Sequence, residues 1–298
     1  MLDVYADTCR DLLAMPVVKG IKSATERFAG ADETFTIEAL MQNGWALQSG
    51  TSHFLGQNFA RAFDVNFQTQ ENTQELVWAT SWGVSTRLVG ALIMTHSDDE
   101  GLVLPPSVAP VQVVIVPISP KGPEKDPEGH AALMEFIDGA AEKMEAAGVR
   151  VKVDTRFNLR PGPKFFEWER KGVPLRMEAG PRDAASGSLL VAKRVTPGAD
   201  KVPMAADETL GPAVAAELAA IQAQMLRAAE ARLEAATFEI QSYDELKAAL
   251  EGSDGSSAPG FFLTPWHDDA EAEEKIKQET KATIRCYPLD RQGGGGGK

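Results

Sequence analysis

The sequence is poor in cysteine: Cys9 and Cys286 are the only two in 298 residues, and they lie far apart. Two distant thiols make neither a disulfide framework nor a four-thiolate zinc site, and a reducing, cytoplasmic setting is the natural reading. Long apolar runs are missing too. No stretch of roughly 18 apolar residues occurs, so no segment reads as a membrane-spanning helix. The first fifteen residues, MLDVYADTCRDLLAM, lack a basic flank followed by an apolar run and do not read as a secretory leader. Neither a phosphate-loop motif nor a dinucleotide fingerprint is present, which argues against the nucleotide-binding enzymes built on those loops. Basic residues are in the minority, with 30 Lys and Arg against 43 Asp and Glu, a formal net charge of −13.

What remains is an ordinary globular composition, 43% hydrophobic and 24% charged, long enough for two domains or three small ones. The charge is unevenly distributed. Residues 150–182 hold nine Lys or Arg against four acids, whereas residues 205–280 hold sixteen acids against five bases. A nucleic-acid backbone suits the first segment and is repelled by the second.

Patterning divides the chain at residues 1–105, 106–204 and 205–298. In the first region, Leu2 to Met15 has helical spacing and stops at Pro16, while Thr34 to Leu40 and Trp45 to Gln48 alternate as antiparallel strands do. Val84 to Met94 reads as a buried helix entered through Gly83 and Ser85. In the second region, Val111 to Val116 is a β-branched run suited to a strand buried on both faces. A helix over Glu128 to Ala147 and strands at Val149–Val153, Leu175–Glu178 and Ser188–Arg194 complete an α/β alternation. The third region offers a long helix over Glu208–Ala236, a short one near Tyr243–Glu251, a Gly/Ser linker at Gly252–Gly260, a strand at Gly260–Leu263, a helix at Asp269–Thr280 and a strand at Thr283–Tyr287. The fold class is α/β (α+β).

Two segments gather chemistry. Gln48 to Asn58 clusters amides, hydroxyls and an imidazole beside glycines. It reads either as a polar turn before a capped helix or as the floor of a ligand pocket with His53 as a hydrogen-bonding group. Arg87 stands in an otherwise apolar run, which calls for an anionic partner, either a carboxylate or a phosphate. The basic stretch around Phe165 reads either as a solvated helix face or as an RNA-binding surface. Lys164, Arg170 and Lys171 read as phosphate neighbours or plain surface charge. His96, Asp98 and Asp99 read as a loop with structural hydrogen bonds, Cys9 as core and His130 as surface.

The string from Ser81 to Asp99, SWGVSTRLVGALIMTHSDD, continuing to Pro106, closely resembles the third signature motif of class II prolyl-tRNA synthetases of the archaeal/eukaryotic type. Phe28–Ala31, Thr36–Met41, Gly50–Phe59, Val111–Pro117, Lys164–Arg176 and Gly180–Asp183 match the same family in the same order.

The resemblance implies ATP-dependent activation of proline and its transfer to tRNA-Pro, with Mg2+ accompanying ATP, in the cytoplasm and as a homodimer. It implies part of a class II antiparallel-sheet catalytic domain at 1–105, an anticodon-binding domain at 106–204 and a small α/β C-terminal domain at 205–298. Arg87 and His53 would be catalytic. Gln48, Thr51, Ser85 and Arg87 would contact ATP; His53, Trp82 and Gly83 would hold proline. Phe165 would stack on an anticodon base, with Glu169, Arg176 and Arg182 reading the guanines.

The family's first two motifs are expected before Met1, and its four zinc-binding cysteines are reduced to Cys286. No zinc is therefore expected, and His267 and Asp268 read as a solvated helix start. The chain by itself is expected to be inactive in adenylate formation. The alternative is a non-catalytic, synthetase-derived tRNA-binding module.

Overall fold

The computed structural model describes residues 1–119, 122–251, 260–267 and 269–291. In chain order the elements are α1 (Leu2–Asp7), β1 (Val18–Ile21), β2 (Glu33–Leu40), β3 (Ala46–Gly56), α2 (Asn58–Phe63), β4 (Asn66–Gln68), β5 (Gln74–Leu76), β6 (Ala79–Gly83) and α3 (Arg87–His96). Then come β7 (Val113–Pro117), α4 (Gly122–Lys125), α5 (Pro127–Ala146), β8 (Val151–Val153), α6 (Pro161–Arg170), β9 (Leu175–Ala179), α7 (Pro181–Ser186), β10 (Ser188–Lys193) and β11 (Val202–Ala205). The last third holds α8 (Leu210–Ala235), β12 (Thr237–Glu239), α9 (Tyr243–Leu250), β13 (Phe261–Leu263), α10 (Ala270–Thr280) and β14 (Tyr287–Pro288).

These elements form two compact units. The first comprises Met1–Asp11, Met15–Thr95 and Ala229–Lys298; the second comprises Leu12–Ala14 and His96–Ala228. The acidic last third is thus not one body of its own. The long helix α8 carries the chain out of the second unit and into the first.

The first unit is built on a five-stranded antiparallel sheet in the order β14-β1-β2-β3-β6. Strand β3 runs eleven residues, to Gly56, where only Trp45–Gln48 alternates plainly. Polar residues crowd one of its faces, and Gly50 and Ser52 interrupt the apolar one, so hydropathy hid its length. One face packs on α1: Tyr5 is buried, and a Cβ at Gly50 would meet the Tyr5, Val84 and Ile37 side chains at 3.3–3.4 Å. Helix α3 is less buried than its sequence suggests. Ala91, Leu92 and Thr95 face inward, while Val89, Ile93 and Met94 remain exposed.

The second unit holds a sheet in the order β11-β10-β9-β7-β8, parallel at β8-β7-β9 and antiparallel beyond. Every residue of β7 is buried, as its β-branched run predicts, because helices cover both faces. On one side Val113 and Ile115 meet Leu133, Ile137 and Met144 of α5 and the first turns of α8. On the other, Val114 and Val116 meet Phe165 and Trp168 of α6. Helix α5 starts where Asp126 accepts from the Gly129 N–H, with Pro127 in the first turn, and the chain turns at Gly148 with φ +79°.

Candidate functional site

Strand register decides which side chains of the first unit meet. His53 lies opposite Thr34 on β2 and Ser81 on β6; Thr51 lies opposite Thr36 and Gly83; Gln48 lies opposite Glu38, beyond a bulge at Ile37/Glu38. Opposed residues share a face and alternate ones return to it. Thr34, Thr36, Glu38, Gln48, Thr51, His53, Ser81 and Gly83 therefore form one polar face.

Trp82 pairs with Ser52 instead, on the face that packs α1, and is exposed there. The expectation that Trp82 walls a pocket with His53 is corrected by this pleat: adjacent strand residues point to opposite sides. The hydroxyl of Ser81 occupies the place assigned to the indole. The period-2 spacing of Thr34, Thr36 and Glu38 carried the signal for the residues the motif reading passed over.

His53 Nδ1 is 3.0 Å from the Thr34 hydroxyl, which itself accepts from the Phe28 N–H at 3.1 Å. When the Thr34 hydroxyl donates to Nδ1, Nε2–H is the outward donor; in the other tautomer Nδ1–H donates to the hydroxyl and Nε2 faces outward as an acceptor. The ring lies 4.6 Å from that of Phe28. Burial lowers the pKa of His53, which keeps the imidazole neutral near pH 7.

Below this face sits a charge cluster. Glu38 is fully buried and accepts from Lys22 Nζ at 2.8 Å, from the Thr36 hydroxyl at 2.9 Å and from Arg285 Nη2 at 2.7 Å. Removing one partner of such a buried pair costs about 3–5 kcal/mol. Cys286 lies beside it, its thiol pushed up to about 12 by burial and by the charge of Glu38. Cys9 is buried in the core, with its thiol pushed up to about 11 by burial.

Arg87 is the first residue of α3, exposed, and its Nη1 donates to the Gln48 carbonyl at 3.1 Å. Among the described residues no carboxylate pairs with it, so the ion-pair alternative finds no partner. The Ser85 hydroxyl accepts from the Arg87 N–H at 3.3 Å and so helps start the helix. In the adjoining Gln57–Asn58 segment the amides are structural: Gln57 donates to the Leu76 carbonyl and Asn58 to Asp32. From the Gln48 carbonyl to His53 the strand spans roughly 15 Å at about 3.3 Å per residue, so Arg87 and His53 stand toward opposite ends of one elongated polar surface.

The second unit holds a cavity of about 420 Å³ whose lining includes Trp168, Glu169, Arg176, Lys193, Arg194 and Lys201. Arg176 lies 4.3 Å over the Phe165 ring and Lys201 Nζ 5.2 Å from it. Glu178 joins the two cations, 3.3 Å from Arg176 and 2.7 Å from Lys201. Glu169 and Arg176 are thus brought together, with Phe165 behind Arg176. Arg182 stands apart, exposed in the first turn of α7 and outside the cavity lining.

Lys164 is corrected outright: it is buried, donating to the Asp154 carbonyl at 2.9 Å with its ammonium 3.5 Å from the Asp154 carboxylate. Burial would raise the pKa of Asp154. Hydrogen bonds from Arg156 and the Trp168 indole, with the charge of Lys164, hold it well below the usual range instead. Arg170 lies over the Phe166 ring and Lys171 pairs with Glu167. His96 donates to the Leu13 carbonyl at 2.8 Å. His130 is half-buried, edge-on to Phe157, and so is not a plain surface residue.

Among the described residues no three His, Cys, Asp or Glu side chains gather as metal ligands would; Asp268 and the Gly/Ser linker at 252–259 lie outside them. No helix is long and apolar enough to cross a membrane among the same residues.

Residues 112–211 match the anticodon binding domain family and residues 243–298 the family described as prolyl-tRNA synthetase, C-terminal. A proline–tRNA ligase of Bacteroides fragilis is 51% identical over 97% of this chain and 56% of its own length. That of Chloroflexus aurantiacus is 48% identical over 98% of the chain and 58% of its own. The chain is a homologue of the proline–tRNA ligases, which are aminoacyl-tRNA ligases. Among solved structures, prolyl-tRNA synthetase from Cryptosporidium parvum complexed with L-proline and AMP superposes with a TM-score of 0.85 at 37% identity, covering 97% of this chain and 60% of that one. The same synthetase complexed with halofuginone and AMPPNP gives 0.88 at 38%, covering 98% and 57%. The chain spans a little over half the length of the prolyl-tRNA synthetases it matches.

Proposed function

We propose that this chain is part of a proline–tRNA ligase of the archaeal/eukaryotic type, which activates proline with ATP and transfers it to tRNA-Pro. The observation that carries this is identity of about half over 97% of the chain, spanning both the polar face and the basic cavity. The likeness to a Cryptosporidium parvum synthetase supports the subtype. That structure contains L-proline and AMP, which supports proline and ATP as the small-molecule ligands here.

On this reading the polar face holds proline at the His53 end and the nucleotide at the Arg87 end. In its Nε2–H tautomer His53, with Ser81, donates hydrogen bonds to the bound imino acid, and Gly83 leaves open space above Thr51, since a Cβ there meets nothing within 4 Å. The proline carboxylate attacks the α-phosphate in line and pyrophosphate leaves. Arg87, without a carboxylate partner among the described residues and fixed through Gln48, offers its remaining N–H groups to the terminal phosphates. Ser85 and Thr51 stand near the nucleotide. Mg2+, when bound, neutralises the phosphates; Gln48 is a single neutral oxygen donor for it, because Glu38 is already saturated by Lys22, Thr36 and Arg285.

In the second unit, Glu169 and Arg176 read a guanine edge, while Phe165, covered by Arg176 and outside the cavity lining, backs that guanidinium instead of stacking on a base. Arg182 contributes from outside the cavity. The domain division at 105 and 204, the cytoplasmic location and the homodimer of the intact enzyme rest on the family resemblance.

Proline-dependent ATP–pyrophosphate exchange tests the reading. The chain alone is expected to show none, and to gain activity when the remaining part of a relative is supplied. Exchange by the chain alone contradicts its proposed inactivity. A second reading, a non-catalytic tRNA-binding module, is favoured by one observation: the cavity is lined entirely by residues between Trp168 and Gln224. Specific tRNA binding with no exchange under any complementation would select that module.

A further inference from the structure

The C-terminal end of α6 is held by a guanidinium that no motif singles out. Arg194 follows β10 and is 5% exposed. Its Nε donates to the Glu169 carbonyl at 3.1 Å and its Nη1 to Asp98 Oδ2 at 2.8 Å, while Nη2 donates to Asp98 Oδ1 and to the Gly101 carbonyl. Its own backbone N–H donates to the Pro174 carbonyl at 2.9 Å. The loop that supplies Asp98 is itself closed, with Asp98 and Gly101 exchanging backbone hydrogen bonds, and Leu102 donates to the Arg170 carbonyl at 3.0 Å. The backbones approach so closely that a Cβ at Gly101 would lie 2.6 Å from Arg170 Cα, and one at Gly172 2.7 Å from the Leu102 carbonyl oxygen. Both glycines have positive φ, +140° and +72°, so the clamp admits no side chain at either place.

Glu169 combines two properties. Its carbonyl is held by Arg194 and by the Gly172 N–H, whereas its half-buried carboxylate, in the cavity wall, has no hydrogen-bond partner among the described residues. A carboxylate with a fixed backbone and unspent acceptors is pre-organised to receive a base edge.

We propose that Arg194, locked by Asp98, is a positioning residue for base recognition: it fixes the backbone from which Glu169 projects into the cavity. This rests on the reading of that cavity as the anticodon site. Bidentate pairing to Asp98 with a third donor on Glu169 requires the planar fork of arginine, and a lysine ammonium does not reproduce it.

The test measures binding of the full chain, at one fixed salt concentration, to a tRNA-Pro transcript and to transcripts with an anticodon guanine changed to adenine. The unsubstituted chain is expected to prefer the cognate transcript by roughly tenfold or more. R194K and D98N are expected to bind the altered transcripts as before, with the preference reduced to near one. A preference unchanged in both variants overturns the proposal while leaving the cavity reading intact. Absence of any preference in the unsubstituted chain overturns the cavity reading itself. Circular dichroism reports folding; if R194K unfolds, D98N decides, because asparagine keeps the shape and one acceptor. If both unfold, the pair is structural and the positioning role is rejected.

Discussion

Lys164 and Asp154 set the energetic stakes for single residues. A surface lysine changed to alanine moves stability within about 0.5 kcal/mol, but one lost from a buried pair costs about 3–5 kcal/mol. K164A is expected to fall in the second range, measured by urea unfolding. Asp154 titrates below its ordinary value in the folded chain, so it stabilises above the unfolded pKa near 3.9, and that contribution is lost as pH falls through the folded value. D154N should lower stability at neutral pH and flatten the acid limb of the stability profile. His53 has the opposite charge logic. Its folded pKa is lowered, so the unfolded chain takes up a proton first and stability declines as pH falls below about 6.5; H53Q should remove that part of the decline. The sequence made Arg87, His53, Glu169 and Arg176 visible, because their strings are uncommon. It hid the burial of Lys164, since a helix of alternating aromatics and charges does not reveal which cation meets an acid ten residues earlier.

At the scale of elements, periodicity identified β7, α5, β8, β9 and β10 to within a few residues, because burial on two faces or one leaves a clear apolar pattern. It shortened β3, because polar residues crowd one face and Gly50 and Ser52 interrupt the other, erasing the alternation that marks a half-buried strand; Trp82 was set beside His53 by the resemblance, which does not read the pleat. The final strand was expected over Thr283–Tyr287, but β14 pairs only through Tyr287 and Pro288, with Ile21 and Gly20. That pairing depends on the absence of a side chain at Gly20, where a Cβ would overlap the Cys286 side chain and lie 2.8 Å from the Tyr287 carbonyl oxygen. G20A is expected to release the segment after α10, seen as faster proteolytic cleavage beyond residue 281, with the second unit's protection unchanged. Equal cleavage rates would show that β14 contributes nothing to holding the tail.

For the whole molecule, a net charge of −13 conceals a cavity whose lining holds Arg176, Lys193, Arg194 and Lys201 beside Glu169 and Asp200. Each of the four cations is paired, with Glu178, Glu217 or Asp98. Binding of tRNA should therefore be weak for its contact area and steeply salt-dependent, log K falling against log salt with a slope of about −0.7 per phosphate neutralised on single-stranded RNA. A flat salt response would remove the phosphate contacts from the account. The two-unit division was not legible beforehand, because composition separates acidic from basic stretches but does not say that α8 returns the tail to the first unit.

The most direct test of the central claim is a heteronuclear NMR titration of the chain with a non-hydrolysable prolyl-adenylate analogue at millimolar concentration. The account predicts shifts in the amides of Thr51, Ser81 and Gly83, the His53 ring and the Arg87 side chain, with Ser52 and Trp82 on the opposite face unmoved. No response at any concentration, or shifts confined to the Ser52–Trp82 face, would contradict it.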